Sequence, residues 1–480
     1  MTPGLSILII RQSASSVNQV NHRSSSRPGL ALFRWTTTII LTSLSLVLCS
    51  AGWAHSSRQK VIISTDVAIG LIDTHGGKSL TPVSFSDTYA WGRDTSVAPQ
   101  DIDDGLVLAM ALNMERAKIL DVLAVIPTFG NASLPAEMLV AEHITYQLKG
   151  RWRKPIVPGA SGPVSQILHA TPLWFDGTPT QVAGPDGSFS AACWNSGVDA
   201  MHKLLLTSRS KVTILALGPM TDVACLLNNA HSLALRKIEE IIAIASRVEG
   251  ESVQINGLVV NDFNFRMDPI AGTLLLGATT KVDVPIRLMS FSLTGQTSQS
   301  NDLIPFNADS YPGPEHTNPQ SEESFAWLLA AAEPRNTYWS GIFGSEEGPF
   351  DQYALVAAIW PELFDCQPAL AYVQQCPTPA WSAGFPVDDQ GNPTEQPYNA
   401  GNNPCVDHGS AHGGSLNEVP AQLIVTLDLD EQGPLVRGES GFDGNLPALD
   451  KPARPVTACV DFASGSARQE FEALLKQYTW

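Results

Sequence analysis

Short runs of β-branched residues alternate along this chain with stretches of helical period, and no other feature restricts its fold as much. Val61-Ile62-Ile63 reads as a strand that ends at Ser64-Thr65-Asp66, and Leu106 to Met114 as a helix opening just after Asp103-Asp104. Val122 to Ile126 reads as a second strand and Pro135 to Leu148 as a second helix. Val212 to Leu217 reads as a third strand, which runs through Gly218-Pro219-Met220-Thr221 into a helix reaching Leu227. Ile238 to Ile244 and Val284 to Met289 read as further strands, and Asp351 to Ile359 as a helix. Apolar runs without polar alternation mark strands covered on both faces, which occur in parallel sheets with helical crossovers. The pattern predicts an α/β protein with a mostly parallel central sheet flanked by helices. The segments 70–100, 168–195, 296–350 and 374–418 exceed ordinary connection lengths and read as long loop insertions. No internal repeat or low-complexity linker divides residues 55–480, so they read as a single large domain.

With 480 residues, 44% of them hydrophobic, the chain can bury a large core. Its 47 acidic and 29 basic residues give a formal charge of −18, which argues against a nucleic-acid partner. Residues 1–34 carry Arg11, Arg23, Arg27 and Arg34 and no acid, and Trp35 to Ala54 is uncharged and ends in small residues. Residues 1–54 therefore read as a secretory signal cleaved after Ala54, with a secreted, extracellular body. The alternative is an uncleaved signal anchor, which would tether a lumenal body to the membrane through residues 35–54. Six of the seven cysteines lie beyond that segment: Cys193, Cys225, Cys366, Cys376, Cys405 and Cys459. A bridge or two pinning the C-terminal loops fits an exported chain. Cys225, within the apolar Val223-Ala224-Cys225-Leu226-Leu227, reads instead as a buried free thiol.

Ligands of open α/β sheets bind beyond the carboxyl ends of the strands, so acids at those ends are the candidates for chemistry. Asp66 ends the first strand, and Asp101, Asp103 and Asp104 precede the next helix. Such carboxylates converging at one edge repel unless a cation or ribose hydroxyls hold them. Hard oxygen donors suit calcium or magnesium. The ordinary alternative for Asp103 or Asp104 is a helix N-cap.

Seven segments, in order, resemble the inosine-uridine-preferring nucleoside hydrolase family. Val61 to Asp66 with Asp101-Ile102-Asp103-Asp104-Gly105 is similar to that family's opening Asp motif, split here by an insertion. Thr128-Phe129-Gly130-Asn131, Pro155 to Ala160, and Leu215 to Asp222 follow. Asn256 with Asp262-Phe263-Asn264 and Asp268-Pro269, then Phe350-Asp351, then Gly433 to Gly438 complete the series. The resemblance implies a Rossmann-like nucleoside hydrolase fold and an N-ribosyl hydrolase that cuts the N-glycosidic bond of a ribonucleoside. It implies one calcium ion held by Asp66, Asp104, the backbone carbonyl of Leu217 and Asp351, with Asp66 as the catalytic base. It implies substrate binding by Asp103, Asn131, Asn256, Asp262 and Asn264 at the sugar, and by Phe350 at the base. The partner implied is a small-molecule nucleoside, and a homo-oligomer stays open. Turn formation is the plain alternative for the Asn and Asp residues, as core packing is for Leu217.

Three departures weaken parts of this assignment. Ser64 stands where the family pattern has its first Asp, and Val67 to Gln100 split the motif. Phe350 stands where a proton-donating His precedes the late Asp in pyrimidine- and inosine-cleaving members. These departures keep open a catalytically impaired nucleoside- or ribose-binding protein on the same fold. An Asp-nucleophile phosphohydrolase lacks its second acid, since position 68 is Ala68. Asn131-Ala132-Ser133 is an N-glycosylation sequon; if Asn131 lines a ribose pocket, it is expected to carry no glycan.

Overall fold

The computed structural model describes residues 58–67, 71–73, 80–82, 97–98, 103–131, 134–149, 154–162, 193–248, 254–255, 258–259, 262, 264–265, 268–276, 282–291, 293–294, 348–375, 406–407, 419–420, 423–429 and 454–479. Nine strands form the main sheet: β1 (Gln59–Thr65), β2 (Leu120–Pro127), β3 (Val212–Ala216), β4 (Ile238–Ile244), β5 (Arg247–Val248), β6 (Ile286–Met289), β7 (Phe364–Gln375), β8 (Leu423–Asp428) and β9 (Arg454–Phe462). Their order is β2-β1-β3-β4-β6-β9-β7-β8-β5. The six strands from β2 to β9 run parallel, β7 is antiparallel to both neighbours, and β5 closes the edge parallel to β8. The expected mostly parallel α/β sheet is therefore present.

The chain leaves β1 for β2 on one side and later returns to place β3 on the other side of β1. That reversal opens a crevice at the carboxyl ends of β1 and β3, where an open sheet binds its ligand. The register pairs Thr65 with Pro127 and Ser64 with Ala216, so the residues that follow all three strands emerge at one level.

Helices cover both faces, and the alternation of side chains along β1 divides the core between them. Val61 and Ile63 face a layer built from α1 (Asp103–Arg116), α2 (Leu134–Lys149), α7 (Gln352–Ala357) and α8 (Gly465–Tyr478). Ile62 faces the second layer, built from α3 (Ser196–Thr207), α4 (Thr221–Asn229), α5 (Ser232–Leu235) and α6 (Pro269–Leu276). Leu106 to Leu112 of α1 are buried without a break, because sheet, α2, α7 and α8 surround the helix. In the first layer the buried Tyr353 packs on Phe471 at 4.5 Å between ring centroids, and on Phe462 and Phe364 at 5.8 and 5.9 Å.

β7, β8, β9 and α8 have no counterpart among the elements read from sequence. Pro368 and Pro455 interrupt the strand pattern, and a strand on the antiparallel side of a mixed sheet needs no unbroken apolar run. Within the split of the Asp motif, Leu71–Asp73 pairs antiparallel with Leu80–Pro82 and with Val97–Ala98. The reading of Cys225 as a free thiol is corrected: it forms a disulfide with Cys193. The helical periodicity around Cys225 gave no sign of a partner 32 residues away. A second disulfide, Cys366–Cys459, joins β7 to β9 and so ties strands rather than loops. Cys376 and Cys405 lie outside the described residues, as do residues 1–57 with the signal-sequence reading and most of the four long insertions. No helix among the described residues is long and apolar enough to cross a membrane.

Tyr353, Phe364, Phe462 and Phe471 each contact the other three rings, and Tyr353 is the member that ties α7 into this cluster. Tyr353→Ala is expected to cost about 3–5 kcal/mol of unfolding free energy. Urea denaturation followed by circular dichroism measures it, and a loss below about 1 kcal/mol would contradict the packing described.

Candidate active site

The two adjacent acids that open α1 are brought to the crevice because the helix starts there. Asp103 and Asp104 form its first turn, where carboxylates also complement the helix dipole. Asp103 accepts the backbone N–H of Asp104 at 3.0 Å through one oxygen and that of Asp351 at 3.0 Å through the other. Its backbone carbonyl accepts the Gln352 side-chain amide at 3.0 Å. Asp103 thus clips the start of α7 to the start of α1, across 248 residues of sequence. Asp351 occupies the N-cap position of α7, yet its side chain does not cap the helix. Carboxylate oxygens of Asp103, Asp104 and Asp351 lie within 4.8 Å of one another, and all three residues are buried.

Asp66 borders this cluster at the end of β1. Asn131, at the end of the turn after β2, joins the two. Its backbone N–H donates to the Asp66 carboxylate at 3.1 Å, and its side-chain amide donates to the Asp66 carbonyl and the Asp104 carboxylate, each at 3.3 Å. Thr65 donates its hydroxyl to the other Asp104 oxygen. Two glycines make room for Asp66. A Cβ on Gly130, whose φ is +158°, would stand 2.6 Å from the Asp66 Cγ, and one on Gly218 would stand 2.6 Å from Oδ1. No other residue fits either position without moving the acid.

The Leu217 carbonyl lies at the end of β3, where it accepts the Asn264 side-chain amide. The Leu217 side chain is buried in the first core, so the packing and backbone roles coexist. Asp262 accepts the backbone N–H of Ser246 at 3.0 Å and that of Phe265 at 2.9 Å, which brings it to the end of β4. Asn256 lies outside the described residues. Phe350 stacks on Phe291, the ring centroids 6.0 Å apart and the planes inclined by 13°. Phe291 follows β6, and its N–H donates to the Ser246 carbonyl at 2.6 Å.

Nine of the ten residues singled out from sequence are therefore described, and they sit at or beside the carboxyl ends of the parallel strands. Thr65, Gln352, Ser246 and Phe291 were missed. Thr65 and Gln352 directly flank recognised acids, which is the only signal they offer. Ser246 adopts φ 79°, a conformation that nothing in its sequence context announces.

The donor set suits a hard cation. Three buried carboxylates this close cannot all stay ionised without a compensating charge. Asn131 Oδ1 and Gln352 Oε1 are buried acceptors with no hydrogen-bond partner among the described residues, and a cation or a ligand hydroxyl would satisfy such atoms. These groups are able to hold a metal ion.

Residues 94–400 match the model of the inosine-uridine preferring nucleoside hydrolase family. The chain belongs to that family. The match contains nine of the ten singled-out residues and leaves out Asp66, whose neighbourhood to Asp104 comes from the fold. The pyrimidine-specific ribonucleoside hydrolase RihA of Citrobacter koseri is 28% identical over 212 residues, which are 44% of this chain and 64% of that protein. The chain thus aligns with less than two thirds of that relative's length. A plant nucleoside hydrolase, PpNRh1, superposes with a TM-score of 0.50 at 17% identity, over 88% of this chain and 98% of its own. An inosine-uridine preferring nucleoside hydrolase from Bacillus anthracis gives 0.43 at 14% identity, over 87% and 99%. The plant enzyme shares the fold.

Asn131 is only 1% exposed, so its side chain has no room for a glycan in the folded protein. Glycopeptide mapping of protein expressed in a glycosylating host is expected to find Asn131 unmodified. Stoichiometric glycan on soluble, folded protein would remove Asn131 from the site.

Proposed function

We propose that this protein hydrolyses the N-glycosidic bond of a ribonucleoside, releasing ribose and free base, with calcium as its ion. The observation that carries the reading is the buried trio Asp103, Asp104 and Asp351 at the crevice where the strand order reverses. Asp66, Asp104, Asp351 and the Leu217 carbonyl are the proposed ligands, all hard oxygens of the kind calcium selects over softer donors. When bound, the ion supplies positive charge that orients a water and lowers its pKa.

The remaining chemistry falls to the chain's own groups. Asp66, held by the Asn131 N–H, is the proposed acceptor of the proton lost by the attacking water. Breaking the ribosyl C–N bond builds positive charge on the sugar, which the surrounding carboxylates favour. Asp103, Asn131, Asn256, Asp262 and Asn264 are the proposed partners of the ribose hydroxyls. A nucleoside supplies both donors and acceptors, so the orphaned Asn131 Oδ1 would take a sugar hydroxyl. Phe350 and Phe291 are the proposed base-side wall; neither ring can donate a proton, so they contribute stacking alone.

We further propose that the body acts outside the cytosol. The basic lead, the uncharged stretch Trp35 to Ala54 and the two disulfides support export, because such bridges persist in oxidising compartments.

The Phe350 position also supports a second reading, a nucleoside-binding protein with impaired turnover. One experiment separates the two. Purified protein is incubated with a panel of purine and pyrimidine nucleosides, with calcium or with a chelator, and free ribose is measured. Calcium-dependent release is expected, and Asp66→Asn is expected to lower kcat by about 10²–10⁴-fold. Nucleoside binding by calorimetry without ribose release from any substrate would favour the binding protein. Neither binding nor release would overturn both readings.

A further inference from the structure

Asp222 is a fully buried acid in the first turn of α4, in the second helical layer, whereas Asp103 and Asp104 open α1 in the first. An acid in a first turn ordinarily complements the helix dipole. The hydrogen bonds that Asp222 accepts come instead from three other segments. The Asn195 side-chain amide donates to Oδ1 at 2.5 Å, the Ala160 N–H to Oδ2 at 3.0 Å, and the Thr128 hydroxyl adds a third. Burial pushes the carboxyl above its usual range, and these three donors oppose the shift. Gly159 lets the chain come close: a Cβ there would stand 3.0 Å from the Asp222 Cγ and 2.9 Å from the Pro127 carbonyl.

The contact continues toward the site. The Ala160 carbonyl accepts the Phe129 N–H at 2.9 Å, and the Thr128 hydroxyl, 3.4 Å away, shares its single proton between that carbonyl and Asp222. Gly159 donates its N–H to the Pro127 carbonyl at 2.8 Å, so residues 159–160 continue alongside the end of β2. The next two residues are Gly130, packed on Asp66, and Asn131, bonded to Asp66 and Asp104. On the far side, Asn195 also accepts the Val198 N–H at 2.9 Å as the N-cap of α3, and the Cys193–Cys225 disulfide joins the start of α3 to α4 beside it.

We propose that Asp222 is a positioning residue: it fixes Ala160, Ala160 fixes Thr128 and Phe129, and the turn through Gly130 and Asn131 thereby fixes the Asp66 carboxylate. The requirement is for a carboxylate. An amide offers one acceptor oxygen and two donor hydrogens, so Asp222→Asn sets a donor against either the Ala160 N–H or the Asn195 amide. Rotating Asn195 to accept would withdraw its oxygen from Val198. Exchanging the pair, as Asn195→Asp with Asp222→Asn, restores a donor facing an acceptor and keeps both the cap on α3 and the bond from Ala160.

The test combines two readouts on the full protein: hydrogen exchange of the Phe129 and Asn131 amides, and the steady-state kinetics of ribose release. Only the kinetic arm rests on the function proposed above. Asp222→Asn is expected to exchange about tenfold faster or more at these amides while the strand amides of β3 and β4 keep their protection. Its kcat is expected to fall about 10–100-fold with KM little changed, as for residues that orient the groups holding a ligand. The double exchange variant is expected to recover both. Wild-type exchange at Phe129 and Asn131 with full kcat in Asp222→Asn would overturn the proposal, as would protection lost evenly across the sheet. If Asp222→Asn does not fold, Asn195→Ala carries the same comparison, and unchanged exchange in the turn overturns the proposal equally. Absence of nucleoside cleavage by the wild type defeats the proposed function, while the exchange arm still decides the role of Asp222.

Discussion

The convergence of Asp103, Asp104 and Asp351 out of water is the constraint around which the rest of the molecule is arranged. Two like charges about 4 Å apart repel by about 4 kcal/mol even at an effective dielectric of 20. A folded domain is stable by only about 5–15 kcal/mol, so such a cluster is tolerated only where the surrounding structure compels and compensates it. Part of the compensation is visible: both Asp103 oxygens take backbone N–H groups, and Asp104 takes Thr65 and Asn131. A cation held by the trio would supply more of it, and the proposed chemistry of the site rests on that capacity.

The sheet supplies the compulsion. Strand order reverses beside β1, so three successive strand ends stand level around Asp66, and α1 and α7 start at the same edge. Each local choice serves close approach there. Gly130 and Gly218 clear space on both sides of Asp66, and Gly159 does the same for Asp222. In the first layer Tyr353 of α7 meets Phe364, Phe462 and Phe471. The packing that anchors α7 thus also holds Asp351 at its N-terminus, so stability and site geometry share one element.

The side of the site around Phe350 follows different physics. Phe291 and Phe350 present stacked rings and no titratable group, and Ser246 between β4 and β5 reaches a left-handed conformation while it binds Asp262 and Phe291 through its backbone. In the proposed function these rings contribute stacking rather than a proton donor, and of these residues only Phe350 was legible in the sequence.

What the sequence determined by itself was the set of strands buried on both faces, their alternation with helices and the acids at their ends. Those features are local: β-branched runs such as Val61-Ile62-Ile63 have no stable alternative to a covered sheet, and Asp103-Asp104 directly precede a helical period. The order of short motifs carried the family as well. Only the tertiary structure decided that Asp351 closes on Asp103 across 248 residues, that Cys225 pairs with Cys193, and that β7 and β9 complete the sheet in opposite directions. Each of these is a contact between distant segments, fixed by which surfaces bury one another. The same holds for Asp222, which reads along the chain as an ordinary first-turn acid. Its three donors come from residues 27, 62 and 94 positions away in the chain, and only folding brings them together.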